Sequence, residues 1–317
     1  MQATPEGSKP KRKGLRIGIV GIGKVGSTLA YTVALKGLCS ELVLVNRSPD
    51  AALGDMYDLR HSMPFLQRQM KITSGGIDAL EGADIIALCQ SVPSKPGFAD
   101  RNSLAEDNAR MFREQIPQIA RVAPDAILLV LSNPVDVLTY LALKESGFPP
   151  ERVLGTGTFL DSARFRSLLS DELGIHPDDL RAYILGEHGP TQFPLMSQAQ
   201  AAGEPIEDNE ARQELFRQAV AGGFKVYTSK GYTNYAVSLA AATMIECMVY
   251  DTRHTLPASV LIDSYYGVDE VCLSVPVVLG RNGVERIMHP RMTPEEQALF
   301  RHSAESVKKV IDLVTPE

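Results

Sequence analysis

The stretch LRIGIVGIGKVGSTLAYTVALKG, residues 15–37, decides the fold of this chain. It opens with the short apolar run 15–20, which predicts a buried strand. The turn Gly21-Ile22-Gly23-Lys24-Val25-Gly26 follows, and a helical pattern then runs from Lys24 to Lys36. A GxGxxG pattern alone is a weak signal, but a strand before it and a helix after it are the context that a dinucleotide-binding turn requires.

The three glycines of this turn have separate expected roles. Gly21 permits the tight turn, Gly23 lets the backbone approach a pyrophosphate, and Gly26 allows the helix to pack closely on the strand. The unpaired N–H groups of the helix N-terminus would face the phosphates. We therefore predict cofactor contacts from these glycines and from Val25; the alternative is a glycine-rich turn with a structural role only.

Outward from this turn, short apolar runs alternate with helical patterns up to about residue 155. The further strand-like runs cover residues 42–45, 71–73, 84–89, 126–131 and 152–154, and the clearest helical patterns cover residues 103–122 and 135–145. Six strands joined by such connections predict a doubly wound parallel sheet. We expect residues 14–155 to form this dinucleotide-binding domain.

The second half of the chain has a different pattern. Helical periodicity dominates to residue 173 and again over residues 207–250, with β-rich stretches at 181–185 and 271–278. This mixture predicts a substrate-binding and catalytic domain of α+β type over residues 156–317. Residues 1–13 are rich in Pro, Gly, Ser and Lys and predict a disordered basic arm.

The composition excludes several classes of function. The 317 residues carry a net charge of −6, so no nucleic-acid partner is expected. No apolar run approaches the ~20 residues of a membrane helix, so no membrane partner is expected. The four cysteines, Cys39, Cys89, Cys247 and Cys272, form no CxxC pair. This spacing predicts reduced cysteines in a cytoplasmic protein, with no disulfide framework and no metal site.

The end of the second strand-like run bears on the choice of cofactor. An NAD-binding domain usually carries Asp or Glu there to bind the ribose hydroxyls. This chain has Asn46, followed by Arg47 and Ser48. Asn does not repel a 2′-phosphate, and Arg47 could pair with one. We predict NAD as the cofactor with NADP possible; the alternative is that Asn46 binds NAD while Arg47 faces solvent.

Four segments place polar residues in apolar surroundings. They are Asp100-Arg101, Ser132-Asn133-Pro134, Asp161-Ser162-Ala163-Arg164 and Gly186-Glu187-His188-Gly189. With GIGKVG, LSNPVD, FLDSARFR, KGYTNYA and LSVPVVLGRNG in this order, the chain resembles the L-lactate/malate dehydrogenase family from Leu15 to about Ile311. The resemblance implies a Rossmann domain and an enzyme that transfers a hydride between a nicotinamide cofactor and a small L-2-hydroxy acid.

The resemblance implies a proton-transfer centre at His188. This residue would give a proton to the ketone oxygen as the hydride arrives and remove it in the reverse reaction, which suits an imidazole with an unperturbed pKa of ~6.5. Asp161 would accept the other imidazole N–H and so fix the tautomer. Arg164, three residues further on, would bind the substrate carboxylate through both guanidinium prongs.

The remaining implied contacts come from other segments. Arg101 would polarise the ketone, Asn133 would hold the carbonyl and the nicotinamide beside Ser132, and Thr233 would line the substrate pocket. The family has a cis peptide bond before Pro134. It also implies a homodimer or homotetramer.

The loop before Arg101 departs from the family pattern. The run Cys89-Gln90-Ser91-Val92-Pro93-Ser94 precedes KPG, so Ser91 replaces an expected glycine and Ser94 occupies the specificity position. Lactate enzymes resembling this chain usually carry Gln there, and malate enzymes carry Arg. Because Ser cannot pair with a second carboxylate, we expect pyruvate and bulkier 2-keto acids rather than oxaloacetate; the alternative is that Lys95 turns inward and supplies the positive charge.

Two further arginines and two alternative functions remain open. We favour surface or intersubunit ion pairs as the role of Arg166 and Arg181. The alternative follows from the resemblance: related positions in bacterial lactate dehydrogenases bind a sugar bisphosphate between subunits, usually with a His where Arg181 stands. The alternatives to a lactate-type enzyme are malate dehydrogenase and a non-catalytic nucleotide sensor on the same fold. A sensor has no need for the acid–base pair of His188 and Asp161.

Overall fold

The computed structural model describes residues 14–92 and 101–315, without the side chains of residues 49 and 101–103. The strands are β1 Arg16–Val20, β2 Glu41–Val45, β3 Lys71–Gly75, β4 Ile85–Leu88, β5 Ile127–Val130, β6 Val153–Gly155, β7 Leu180–Arg181, β8 Ile184–Leu185, β9 Phe193–Pro194, β10 Gln200–Ala201, β11 Glu204–Pro205, β12 His254–Ile262, β13 Val271–Gly280 and β14 Gly283–Ile287. The helices are α1 Lys24–Lys36, α2 Pro49–Ser62, α3 Arg101–Val122, α4 Val135–Ser146, α5 Phe159–Leu173, α6 Glu210–Lys230, α7 Tyr235–Tyr250 and α8 Pro294–Val314. Short 3₁₀ helices lie at Met63–Phe65, Ile77–Leu80, Pro150–Arg152, Pro177–Asp179 and Met196–Gln198.

A parallel sheet of six strands forms the first half of the molecule. Its order is β6-β5-β4-β1-β2-β3, and every neighbouring pair in it is parallel. The runs IIAL of β4 and ILLV of β5 are buried along their whole length, as expected for strands covered on both faces. The doubly wound Rossmann arrangement predicted from the sequence is therefore confirmed. The strand order reverses between β1 and β4, and the crevice at that point is where such folds bind ligands.

The second half mixes helices with antiparallel strands, as predicted, but three of its strands join the first sheet. β12 pairs with β6 through Ser259 opposite Gly155, β13 pairs with β12 over nine residues, and β14 forms the outer edge. One sheet of nine strands thus runs through both halves. The shorter strands form two small sheets, β11-β10-β7 and β8-β9.

The helical segment 207–250 is two helices in the structure. α6 ends at Lys230, where Gly231 adopts a left-handed conformation with φ +82° and donates its N–H to the carbonyl of Tyr227 at 2.7 Å. Glycine takes this conformation without steric cost, which makes it a frequent helix terminator. α7 then begins at Tyr235 and packs on α1.

Two further predictions concern cysteines and membranes. Cys39, Cys89, Cys247 and Cys272 are all free thiols, and burial raises the pKa of both Cys39 and Cys89 to about 12. None of the helices within residues 14–92 and 101–315 combines the length and the apolar character needed to cross a bilayer.

Candidate active site

The glycine turn has the geometry of a phosphate cradle. Gly21 has φ +89°, and a Cβ added there would lie 2.4 Å from the backbone nitrogen of Gln90. At Gly26 a Cβ would lie 2.1 Å from the carbonyl oxygen of Gly21, whereas at Gly23 it would meet nothing within 4 Å. Gly23 is the N-cap residue of α1 and provides no capping side chain. The turn therefore needs glycine twice for packing, and it leaves the start of α1 open to an anion.

The neighbouring strand end contributes a polar group that the sequence analysis assigned no role. Gln90 follows β4 at the point where the strand order reverses, and its side chain is only 7% exposed. Neither its amide nitrogen nor its amide oxygen has a hydrogen-bond partner within the part of the chain that the structure describes. A buried, unpaired amide is costly. Together with the open glycine cradle, it fits a site whose polar partner is a bound dinucleotide.

Of the residues predicted to contact the cofactor, Ser132 and Asn46 bond to the backbone through their side chains. Ser132 donates its hydroxyl to the carbonyl oxygens of Leu88 at 3.1 Å and Gln90 at 2.5 Å, so it ties β5 to β4. Asn46 accepts the N–H of Arg47 on its side-chain oxygen at 3.0 Å, and the side chain of Arg47 is exposed. Val25 is half-buried, and its carbonyl accepts a hydrogen bond from Ser238 of α7 at 2.9 Å.

His188 and Asp161 are brought together, as the sequence analysis predicted. The imidazole Nδ1 lies 2.7 Å from Oδ2 of Asp161, which is buried in the first turn of α5. Burial disfavours the charged imidazolium, but the hydrogen bond and negative charge of Asp161 outweigh that effect, so the pKa of His188 is raised above its ordinary 6.5. The His188 side chain keeps 30% of its surface exposed, so its outer edge is accessible to a substrate.

Arg164 completes this cluster from the same helix. Its Nη1 donates to Oδ1 of Asp161 at 2.9 Å, so that carboxylate is shared between a histidine and an arginine. Burial favours the neutral form of Asp161, yet the bond from His188 and the positive charges around it keep its pKa below the ordinary 3.8. Gly222 and Gly223 of α6 leave room for the guanidinium: a Cβ at Gly223 would lie 3.5 Å from Nη1. The sequence analysis did not use this Gly-Gly pair inside a helical segment, although such a pair could have indicated a close contact.

Asn133 and Thr233 lie at the ends of separate elements. Asn133 follows β5 with its side chain exposed; the peptide bond to Pro134 is cis, and the backbone carbonyl of Asn133 accepts from Asn108 at 2.8 Å. Thr233 lies half-buried in the link between α6 and α7. That link is held against α1, since Asn234 donates to the hydroxyl of Thr28 at 2.9 Å.

Part of the predicted site lies outside the described residues. This applies to Ser94, to the rest of the KPG loop and to the side chain of Arg101 at the start of α3. Ser91, the residue in place of the expected glycine, is described and exposed. The adjoining backbone N–H of Val92 donates to the side-chain oxygen of Asn108 at 2.8 Å.

Arg166 and Arg181, for which an anion site was the less favoured alternative, lie on α5 and β7. Burial lowers the pKa of Arg166, and the charge of Arg181 lowers it further. The Nε of Arg166 is buried without a hydrogen-bond partner among the described residues, whereas Arg181 donates to the carbonyl of Asp178 at 2.8 Å. These contacts do not decide between ion pairs and the binding of a sugar bisphosphate, which stays the alternative.

The sequence analysis also missed Asp136, the fourth residue of the NPVD run. Its carboxylate is 3% exposed in the first turn of α4 and accepts the backbone N–H of His188 at 2.7 Å. His188 is therefore contacted by two buried carboxylates, one at its ring and one at its backbone.

Comparison with known proteins gives the same assignment for both halves of the chain. Residues 15–155 match the NAD-binding domain of lactate/malate dehydrogenase, and residues 158–317 match its alpha/beta C-terminal domain. The chain is 39% identical over 306 residues to an L-lactate dehydrogenase of Thermoanaerobacter sp. (strain X514), covering 93% of this chain and 98% of that protein. A Salinibacter ruber L-lactate dehydrogenase is 38% identical over 303 residues, covering 92% and 95%.

A solved structure agrees in three dimensions. The ligand-bound minor L-lactate dehydrogenase of Enterococcus mundtii superposes with a TM-score of 0.91 at 31% sequence identity, covering 96% of this chain and 99% of that one. The glycine cradle, the His188–Asp161–Arg164 cluster and these matches together show that the chain belongs to the lactate/malate dehydrogenase family.

Proposed function

We propose that this protein is an NAD-dependent L-2-hydroxy-acid dehydrogenase of the lactate type, with His188 as its acid and base. The observation that carries the proposal is the contact of His188 with the buried, ionised Asp161, which also binds Arg164. When bound, NAD supplies the hydride acceptor, and NADH the donor, for carbon 2 of the substrate. The glycine turn and α1 would hold its pyrophosphate.

The proton moves through His188. In the reductive direction its Nε2–H gives a proton to the ketone oxygen as carbon 2 gains the hydride, and the product is a hydroxyl group beside a neutral imidazole. Asp161 keeps the proton on Nδ1 and stabilises the imidazolium before transfer. Because the pKa of His188 is raised, reduction should slow as the pH rises through that pKa, and oxidation should speed up.

Arg164 would bind the carboxylate of the substrate. A guanidinium binds a carboxylate through two parallel N–H donors, and this fixes both the distance and the orientation of the 2-keto acid. The bond from Arg164 to Asp161 holds the guanidinium on the same side of α5 as His188. We propose supporting contacts from Arg101 and Asn133 to the carbonyl, and from Thr233 to the pocket wall.

Substitution of the histidine tests the reaction assignment. We expect His188→Asn to lower turnover by about three orders of magnitude, the range of general acid–base catalysis with some loss of orientation, while NADH affinity stays within about twofold. The matched control is His176→Asn, since His176 is exposed just before the 3₁₀ helix Pro177–Asp179 that follows α5. Near-normal turnover of His188→Asn would refute the assignment.

The preferred substrate is the finer part of the proposal. Relatives of this chain are named L-lactate dehydrogenase. Ser94 carries no positive charge that could pair with the second carboxylate of a dicarboxylic substrate. We propose that pyruvate is reduced and that bulkier 2-keto acids are also accepted, because Ser is smaller than the Gln usual there. A panel of 2-keto acids checks this, and tight selectivity for oxaloacetate would overturn it.

The choice between cofactors depends on the end of β2. Asn46 carries no charge to repel a 2′-phosphate, and Arg47 is exposed beside it. We propose that NADPH is accepted in addition to NADH. Steady-state kinetics with both cofactors test this. Arg47→Ala should raise the KM for NADPH and leave the KM for NADH unchanged. A preference of the wild-type protein for NADH of about a hundredfold or more would overturn the proposal that NADPH is accepted.

The assembly and location are also proposals. Large apolar side chains are exposed on three helices: Leu53 and Tyr57 on α2, Phe224 and Tyr227 on α6, and Tyr235 and Leu239 on α7. Exposed apolar surface of this extent supports association, and we propose a homodimer or homotetramer, which a monomer in analytical ultracentrifugation would contradict. The four free thiols support a cytoplasmic location; a place in glycolysis stays a prediction.

A further inference from the structure

Asp136 is a buried acidic residue outside the proposed proton-transfer pair. It is the second residue of α4, and it follows the Asn133–Pro134 segment, which lies between β5 and α4. Its side chain is 3% exposed among the apolar residues of α4. Burying a carboxylate is costly unless its oxygens are paired, so its partners indicate what it is for.

Both carboxylate oxygens of Asp136 have a partner from another part of the chain. Oδ2 accepts the backbone N–H of His188 at 2.7 Å, and Oδ1 accepts the hydroxyl of Ser259 at 2.6 Å. Ser259 is fully buried on β12, opposite Gly155 of β6. Asp136 thus joins the helix that follows Asn133 to the segment that carries His188.

These contacts differ from those of an ordinary acidic residue in a first helical turn. Such a residue stabilises the positive end of its own helix, and it is usually exposed. Asp136 instead uses both oxygens away from α4, on a loop and a strand of the second half. A role in helix capping alone does not account for this arrangement.

Several charged groups surround this carboxylate and the histidine. Burial raises the pKa of Asp136 to about 6, and the charge of Glu187 adds to this, whereas the bonds from Ser259 and His188 and the charge of His188 act in the opposite direction. The nearby thiol of Cys272 on β13 is also buried, and its pKa is raised further by Asp136. His188 itself is influenced by Asp161, by Asp136 and by Arg164.

We propose that Asp136 is a positioning residue for His188: it fixes the backbone of the histidine and adds a second negative charge close to it. The proposal rests on the role of His188 given above. Asp161 sets the orientation of the imidazole, while Asp136 sets where its Cα lies relative to Asn133, three residues before Asp136. Hydride and proton transfer require His188 and Asn133 to lie within about half an ångström of their productive positions.

Asp136→Asn tests the electrostatic part of this role. The amide oxygen of Asn can still accept the N–H of His188, and its NH₂ can donate to the Ser259 hydroxyl, so the variant removes charge while keeping the contacts. We expect the pKa of His188 to fall by roughly half a unit to one unit. The readout is the ¹H NMR titration of the His188 ring, identified among the six histidines by the signal missing from His188→Asn.

The kinetic readout is the pH dependence of kcat/KM for 2-keto acid reduction. Its midpoint should move to lower pH by the same amount in Asp136→Asn. Glu187→Gln is the matched control: it removes a carboxylate one residue from His188, and that side chain bonds to Thr191 instead. Its effect on the midpoint should be less than half that of Asp136→Asn.

Ser259→Ala keeps the proposal testable if Asp136→Asn does not fold. Loss of the Ser259 hydroxyl makes the ionised form of Asp136 less favourable. The midpoint of the His188 NMR titration should therefore also move to lower pH, by a smaller amount than in Asp136→Asn. A titration of His188 unchanged within about 0.2 pH unit in both variants would overturn the proposal and leave the proposed function intact. If the titration of His188 shifts in these variants but His188→Asn retains near-normal turnover, the proposed function is refuted while the influence of Asp136 on His188 stands.

Discussion

Removing the buried charge of Asp136 should make the protein more stable at neutral and alkaline pH. Its pKa is raised from the ordinary 3.8 to about 6, and each unit corresponds to about 1.4 kcal/mol. The folded state therefore loses about 3 kcal/mol of stability when Asp136 ionises. Because Asn stays neutral, we expect Asp136→Asn to raise the free energy of unfolding by about 1–3 kcal/mol at pH 8.

The pH dependence of this gain identifies its cause. A folded-state pKa above the unfolded value contributes stability that is fully present below about pH 4 and is lost as the pH rises through about 6. The difference between variant and wild type should therefore shrink to about half its alkaline value by pH 5 and vanish near pH 3–4. The assay is urea unfolding at a series of pH values and one fixed protein concentration, extrapolated linearly to water. A variant that is less stable at pH 8, or a difference that does not change between pH 5 and pH 8, would refute the buried-charge reasoning.

Three further predictions concern the cofactor cradle and the proton-transfer pair. Gln90→Met should raise the Tm of the cofactor-free protein by a few degrees, because two buried, unpaired polar atoms disappear, and should weaken NADH binding about tenfold in a fluorescence titration; unchanged binding would contradict a cofactor contact. Gly26→Ala should abolish folding or NADH binding, since its Cβ would lie 2.1 Å from a backbone oxygen. At Gly23 an added Cβ would meet nothing within 4 Å. Gly23→Ala should therefore keep the circular dichroism spectrum and Tm of the wild type and lose only affinity for NADH. Asp161→Asn should lower kcat/KM for reduction by about two to three orders of magnitude at pH 7 and move its pH midpoint downward, and an unchanged midpoint would argue against Asp161 as the charge that raises the pKa of His188.

The first half of the fold could be predicted because its signals are local. The apolar runs of β1, β4 and β5 are buried on both faces, and such strands read as continuous hydrophobic stretches whatever surrounds them. The glycine turn is equally local, since two of its glycines are required by close backbone contacts with Gln90 and Gly21. The ordered motifs then identified His188, Asp161 and Arg164, whose contacts the structure supplies.

The remaining features depend on pairing between distant segments. Nothing local to β12 indicates that it adds to the edge of β6, because strand pairing is decided by packing across 100 residues of chain. From the sequence, Asp136 is an ordinary acidic residue at a helix start. Only the fold shows that its carboxylate lies 2.7 Å from the backbone nitrogen of His188, which is 52 residues further along the chain. Gln90 reads as a loop residue until its burial is known.

The pairing of β6 with β12 has a consequence for dividing or recombining this protein. A fragment that ends at residue 155 would expose an unpaired hydrophobic strand edge, which promotes aggregation. The same applies to chimaeras: a first half from one relative and a second half from another must match at Ser259 and Gly155, where a Cβ on the glycine would lie 3.1 Å from that of the serine. The pairing of β6 with β12 therefore limits the exchange of the second half alone. Crossover points for chimaeras are better placed away from these two strands.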